Sequence, residues 1–286
     1  MPFLPHRSDR FEAFIAPARA RPEIWRLLVG GLVAGAVWIA VTAGLVLGFG
    51  RGSATGALLT YLGGFAGLIL GLGLAARLIR KQSLASLIGP GGIRPGPYLV
   101  GIAVVAALAL PTAFALDAPA RRMGLADWAA ALPLAVPAIA IQTGAEEMLF
   151  RGYLTQGLAA RFKSRAVWWL LPAALFGLMH WNPATFGENA WLVVVSAALT
   201  GMILADVTIR SGNLSLAMGL HFANNAIAIL LVAPPSPLSG LTLFEAPIDP
   251  SDAGGFRPFL LADIGSTLVL YAIWLGFNGW RDRRAA

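Results

Sequence analysis

The chain has no cysteine and only three histidines, and those two shortages remove much of ordinary protein chemistry. Without cysteine there is no disulfide framework, no thiolate nucleophile and no cysteine-ligated zinc or iron–sulfur site. Charge is scarce as well: 12% of the 286 residues are Asp, Glu, Lys or Arg, against 57% that are hydrophobic. That is the composition of a membrane protein rather than of a soluble domain. The 21 Lys and Arg outnumber the 14 Asp and Glu, for a formal net charge of +7, but they lie beside apolar segments. There they read as topology signals, and no nucleic-acid partner is expected.

What is present is a series of apolar stretches near the ~20 residues needed to cross a bilayer. They fall at about 24–50, 54–76, 97–116, 128–160, 164–184, 190–209, 213–233 and 258–280. The expectation is an all-α, polytopic membrane protein of about eight transmembrane helices. It is divided into an amino-terminal cytoplasmic arm, 1–23, and a single transmembrane domain, 24–284. With the amino terminus inside and the motif residue Arg151 set aside, sixteen Lys and Arg fall on the inner side. Only Arg51, Arg121, Arg122 and Arg257 fall on the outer side. That asymmetry obeys the positive-inside rule and places both termini in the cytoplasm.

The arm carries Arg7, Arg10, Arg19 and Arg21 and leads into the first span without the pattern of a cleaved signal peptide, so it reads as a retained anchor. Residues 8–16 offer Phe11, Phe14 and Ile15 to an interfacial helix, with a solvated arm as the alternative. The loop from Pro234 to Pro258 is rich in proline and acid and is expected to be irregular and exposed. Glycines 63, 67 and 71, like 31 and 35, repeat every four residues, which suits close helix packing within the monomer or a dimer face.

The most costly feature lies in the fourth span, where Glu146 and Glu147 are followed by Arg151. A charged side chain in a transmembrane helix costs about 2.5–3.5 kcal/mol on insertion scales and marks a pathway or a reaction site. The remaining polar residues of the spans are Gln142, His180, Asn182, Asp206, His221, Asn224, Asn225 and Asp263. Glu147 and Arg151, Phe176 and His180, and His221 and Asn225 are each four apart, so each pair shares a helix face. With Lys163 at the apex of a hairpin between the fourth and fifth spans, Glu146 and His180 each lie 17 residues away. Both then sit ~25 Å from the turn and share one depth.

Two adjacent carboxylates in a dry site cannot both carry charge cheaply unless a cation compensates. Arg151 is placed to hold Glu147 ionised, which leaves Glu146 as the general base that activates water, with His180 positioning the same water. His221 and Asn225 would donate to an oxyanion. This is the inventory of a hydrolase acting on an amide carbonyl.

The ordered set Glu146-Glu147-x-x-x-Arg151, Phe176-x-x-x-His180 and His221-x-x-x-Asn225 resembles the three motifs of the CAAX-prenyl-protease and bacteriocin-processing family of intramembrane endopeptidases, also called the abortive-infection family. The resemblance covers roughly 130–232. It implies eight helices with a catalytic cavity between the central ones and a membrane-associated peptide or protein as substrate. Within that cavity Glu146 and His180 would activate water while His221 and Asn225 hold the oxyanion. The Ala, Gly, Arg and Pro richness suggests a GC-rich bacterial source, hence a bacterial inner membrane, where prenylated CAAX proteins are not expected.

A zinc ion held by Glu146, His180 and His221 is the alternative to metal-free catalysis. No His-Glu-x-x-His is present, and two metal-bound histidines would leave Asn225 alone at the oxyanion, so no cofactor is favoured. The rival readings are a proton-coupled transporter and a non-catalytic binding or immunity protein. Asp206 and Arg210 read as a structural bridge, and Gln142 and Asn224 as packing residues.

Overall fold

The computed structural model describes residues 6–50, 52–115 and 120–285, without the side chains of 112–115, 237–238 and 277–285. Arg51 and the side chains of Arg281, Arg283 and Arg284, which enter the charge asymmetry, lie outside the described residues. The chain is almost entirely helical, in the order α1 (Asp9–Arg19), α2 (Ile24–Phe49), α3 (Ala54–Arg80), α4 (Pro95–Ala115) and α5 (Leu125–Arg161). There follow α6 (Ala166–Leu178), α7 (Ala190–Ser211), α8 (Ser215–Leu231) and α9 (Ala253–Ala285).

Among the described residues five helices are long and apolar enough to cross a membrane: α2, α3, α5, a segment Pro183–Ser211 that contains α7, and the Ala253–Gly276 part of α9. This corrects the expected eight. Two of the other three apolar segments form shorter helices, Ala166–Leu178 and Ser215–Leu231. At 1.5 Å per residue these reach roughly 20–26 Å, short of the ~30 Å hydrocarbon core, whereas α4, running on to Ala115, reaches ~31 Å. A sequence window counts apolar residues beyond the helix ends, such as Trp181 and Val232, as if they were helical.

α2 and α3 pack closely because α3 carries no side chain where they cross. A Cβ on Gly71 would stand 2.7 Å from the Ala34 Cα, and one on Gly67 2.6 Å from the Val41 Cβ. The repeat in α3 therefore serves packing within the monomer at these two positions, whereas Gly63, Gly31 and Gly35 face open space. Gly71→Ala is expected to lower stability by about 1–3 kcal/mol through overpacking. Gly63→Ala, with nothing within 4 Å, is the control and should leave the melting temperature in detergent unchanged.

The described part of the amino-terminal arm forms a helix whose apolar face is laid against the protein, its polar face exposed. Ser8 caps α1 through the Phe11 amide, and Phe11, Phe14 and Ile15 are fully buried against the protein. Phe11 meets Trp168 at a ring separation of 5.2 Å. Arg7 donates to the carbonyls of Ala159 and Phe162 at 2.5 and 2.8 Å, clasping the turn between α5 and α6. Gly212, with φ 67°, ends α7 in the left-handed conformation and lets the backbone of Arg10 approach.

The outer loop is likewise more ordered than its composition suggests. Residues Val232–Ala233 (β2) and Ala120–Arg121 (β1) flank Phe244–Glu245 (β3) in a small three-stranded sheet, β1 antiparallel and β2 parallel to β3. Leu241, Leu243 and Ala246 are buried, and Thr242 donates to the Ile229 carbonyl at 2.8 Å. Buried apolar contacts outweigh the prolines there.

Two apolar clusters bracket the middle of the bundle. The inner one contains Phe11, Leu72, Met148, Tyr153, Trp168 and Ile209, and the outer one Leu58, Leu62, Ile139, Ile229 and Leu241. On α5 the outer cluster ends at Ile139 and the inner one resumes at Ala145. The polar residues of α5 lie at that junction.

Candidate active site

α5 changes pitch where its charges lie. It is α-helical from Leu125 to Glu147, π-helical from Met148 to Leu154 and α-helical again from Thr155. Such wide turns inside longer helices are frequent at functional sites, and α3, α6 and α8 each carry one as well. The i, i+4 pair survives the change. Arg151 Nη1 donates to Glu147 Oε1 at 2.7 Å, with the side chains 1% and 0% exposed. The guanidinium also reaches the Gly201 carbonyl of α7 at 3.3 Å and lies 4.6 Å over the Phe176 ring.

α8 supplies the next partner. His221 Nδ1 sits 2.8 Å from the same Glu147 Oε1, and His221 Nε2 lies 3.5 Å from Glu146 Oε2. A carboxylate can only accept, so Nδ1 is the protonated nitrogen and Nε2 is turned toward Glu146. Glu147 thus fixes Arg151 on one side and the imidazole on the other through a single oxygen. Glu146, 15% exposed at its side chain, keeps a buried Oε2 with no hydrogen-bond donor among the described residues.

Asn225 joins the site through Gln142, whose Oε1 accepts from Asn225 Nδ2 at 2.9 Å. The sequence alone makes Gln142 a packing residue, and its position one turn before Glu146 is the signal that points to more. Phe176 is a second residue whose part the sequence does not disclose. Its ring meets His221 edge-on at 5.8 Å, Phe150 at 5.1 Å and His180 at 4.8 Å, so it spaces the two imidazoles.

His180 is not joined to Glu146, the residue whose depth it matches by residue count. No ion pair links the two among the described residues, and His180 is exposed. The physical reason is that α6 ends at Leu178, and the His180 amide bonds to Gly177 in a tighter turn. A straight extrapolation of the helix therefore fails there. The imidazole Nδ1 lies 2.8 Å from the Phe176 carbonyl, which can only accept, so Nδ1 carries the proton and Nε2 offers a lone pair.

Away from the site, Arg210 Nε grips both oxygens of Asp206 at 2.9 and 2.8 Å, the bridge expected from their spacing. Tyr271 of α9 also hydrogen-bonds to Asp206, so this bridge ties α9 to α7.

Among the described residues, no three His, Asp or Glu side chains are grouped to hold a metal ion. The zinc set Glu146, His180 and His221 is not assembled, because His180 is spaced from His221 by the Phe176 ring.

Comparison with known proteins bears on the same stretch of the chain. Residues 128–227 match the family described as type II CAAX prenyl endopeptidase, Rce1-like. The chain therefore carries an Rce1-like CAAX-protease segment that takes in Glu146, Glu147, Arg151, His180, His221 and Asn225. Over 109 residues it is 28% identical to the uncharacterized protein YyaK of Bacillus subtilis (strain 168), covering 38% of this chain and 36% of that protein. The chain thus spans about a third of the curated relative it matches. No solved structure matches.

Proposed function

We propose that the protein is an intramembrane endopeptidase that hydrolyses a peptide bond of a membrane-associated protein or peptide with water activated by Glu146. The observation that carries this reading is that Glu146, its buried Oε2 undonated among the described residues and 3.5 Å from His221 Nε2, is the partly exposed carboxylate of the pair. Glu147, also undonated at Oε2, is fully buried and held through Oε1 by Arg151 and His221. A buried acceptor left without a donor is costly, and a water or a substrate N–H would relieve it. The protein would lie in a bacterial inner membrane with both ends of the given chain in the cytoplasm, which needs an even number of crossings and so counts α4 and the shorter α6 and α8 among them.

In this mechanism a water donates one hydrogen bond to Glu146 and a second to the unprotonated Nε2 of His180. Glu146 removes its proton as the oxygen attacks the carbonyl carbon. The negative charge that develops on the carbonyl oxygen is met by donors from His221 Nε2 and the second N–H of Asn225 Nδ2. Collapse of the tetrahedral intermediate breaks the C–N bond, and Glu146 returns its proton to the departing amine. When both nitrogens of His221 donate, the imidazole is positive. The four side chains Glu146, Glu147, Arg151 and His221 then sum to zero charge, which suits a site shielded from water.

The test is reconstitution in proteoliposomes with mass spectrometry of the peptides released from a library of membrane peptides. New cleavage products support the reading. Substrate-driven flux without cleavage would assign the chain to the transporters. Because the acid and histidine side chains do not assemble a three-ligand site, activity is expected to persist after exhaustive chelation. Complete loss restored only by zinc would overturn that expectation.

A further inference from the structure

Between α8, α9 and the outer end of α4 lies a cavity of about 170 Å³ that the mechanism does not use. Among the described residues its lining is apolar except for Asn224 and Asp263, and both of these are exposed to it rather than packed away. Asp263 accepts from Ser196 Oγ at 3.0 Å through Oδ2, and no protein donor reaches its Oδ1 among the described residues. Arg257, which shares the outer half of α9, is turned to Asn189 and Glu188. A carboxylate in a membrane span is costly unless a cation or water meets it, and such residues mark substrate paths.

The cavity lies beside the catalytic imidazole on α8. Asn224 stands at i+3 from His221 on the α-helical part, about 60° round the helix. Ala228 lies two turns from His221, within the π-helical turn Ile227–Leu231, and both Asn224 and Ala228 are exposed where His221 is buried. Ala228 lies ~10 Å farther out along the helix. An extended peptide advances ~3.3 Å per residue, so a substrate held at His221 and running outward reaches the cavity about three residues from its scissile bond. Asn224 Nδ2, 3.4 Å from Asn225 Oδ1, links cavity to site.

We propose that this cavity is the subsite for a lysine or arginine side chain of the peptide substrate, with Asp263 as its counter-charge and Ile227, Phe256 and Phe259 around its stem. Long basic side chains present an apolar stem and a charged head, which is the order of surfaces found here. The proposal rests on the endopeptidase reading for its occupant, although the charge preference of the cavity does not.

The experiment has two arms on the full chain in lipid nanodiscs. The absence of native cysteine gives Ala228→Cys a single thiol. Its labelling rates with cationic trimethylammonioethyl and anionic sulfonatoethyl methanethiosulfonate are compared with those of a free thiol. Relative to the free thiol, the cavity should favour the cation by roughly tenfold, and Asp263→Asn should remove the preference. A free-thiol ratio, or no labelling because lipid fills the cavity, overturns the proposal.

In the second arm, matched hydrophobic peptides carry lysine or norleucine scanned through successive positions. Lysine should raise kcat/KM roughly tenfold at one position about three residues from the cut, and Asp263→Asn should abolish that gain while leaving norleucine peptides unaffected. Equal cleavage of both peptides refutes the subsite and leaves the endopeptidase standing. A cation preference in labelling with no peptide cleaved refutes the endopeptidase and the substrate role of the cavity together.

Discussion

Glu146→Gln is expected to abolish cleavage while the protein still folds and inserts. The substitution keeps the size and the acceptor oxygen of the side chain but removes its ability to take a proton. Loss of a general base costs roughly 10²–10⁴-fold. Because Glu146 Oε2 receives no hydrogen bond among the described residues and lies 3.5 Å from the His221 ring, little structure depends on it. The melting temperature in detergent should therefore stay close to wild type, and the neutral amide eases burial, since it needs no compensating charge. His180→Ala should give a similar loss of rate with an equally intact fold, because its side chain bonds only the Phe176 carbonyl. Wild-type rates in both variants would end the endopeptidase reading. The Glu146→Gln protein also retains the rest of the site and serves as a trap for substrates.

Much of this site is legible in the sequence where local helix geometry decides contacts. Glu147 and Arg151 lie on one helix four residues apart, so their pairing follows from helical geometry, and it holds at 2.7 Å. The same reasoning yields the Asp206–Arg210 bridge. Contacts between helices are harder to read. Counting residues from a turn pairs Glu146 with His180, but the count assumes regular helices on both arms. The π-helical turn at Met148–Leu154 and the end of α6 at Leu178 break that assumption, and the residue found beside Glu146 is His221 from α8. Gln142 and Phe176 stand out in the sequence, but their parts are hidden for another reason. A neutral amide or a phenyl ring in an apolar helix costs too little to demand a particular partner, so only the structure reveals that one holds Asn225 and the other spaces two imidazoles.

The amphipathic pattern of α1 is equally clear, yet pattern alone does not say which apolar surface it meets. Phe11, Phe14 and Ile15 would suit a bilayer interface as well as a protein groove, and here they are buried against Trp168 and its neighbours. The eight apolar segments are visible too. Which of them are long helices is not, because an apolar turn and an apolar helix have the same hydropathy.

Arg151→Met should be the most destabilising single substitution in the site. The methionine fills much of the volume of the arginine but leaves Glu147, 0% exposed, with an uncompensated charge. Breaking a buried pair from one side costs about 3–5 kcal/mol, whereas replacing both members by uncharged residues is often close to neutral. The double variant Glu147→Gln/Arg151→Met should therefore be more stable than Arg151→Met alone, with a coupling of about 2 kcal/mol or more in a double-mutant cycle. Thermal unfolding in detergent reads this order directly, and additive losses would show that the pair is not energetically coupled. Activity should not follow stability back. In the double variant the amide oxygen at position 147 can still accept from His221 Nδ1, but the amide can also turn its N–H toward that nitrogen, so the tautomer of the imidazole is no longer fixed. A variant that recovers its melting temperature and not its cleavage rate would separate the two tasks of Glu147, balancing a buried guanidinium and orienting the histidine that faces Glu146.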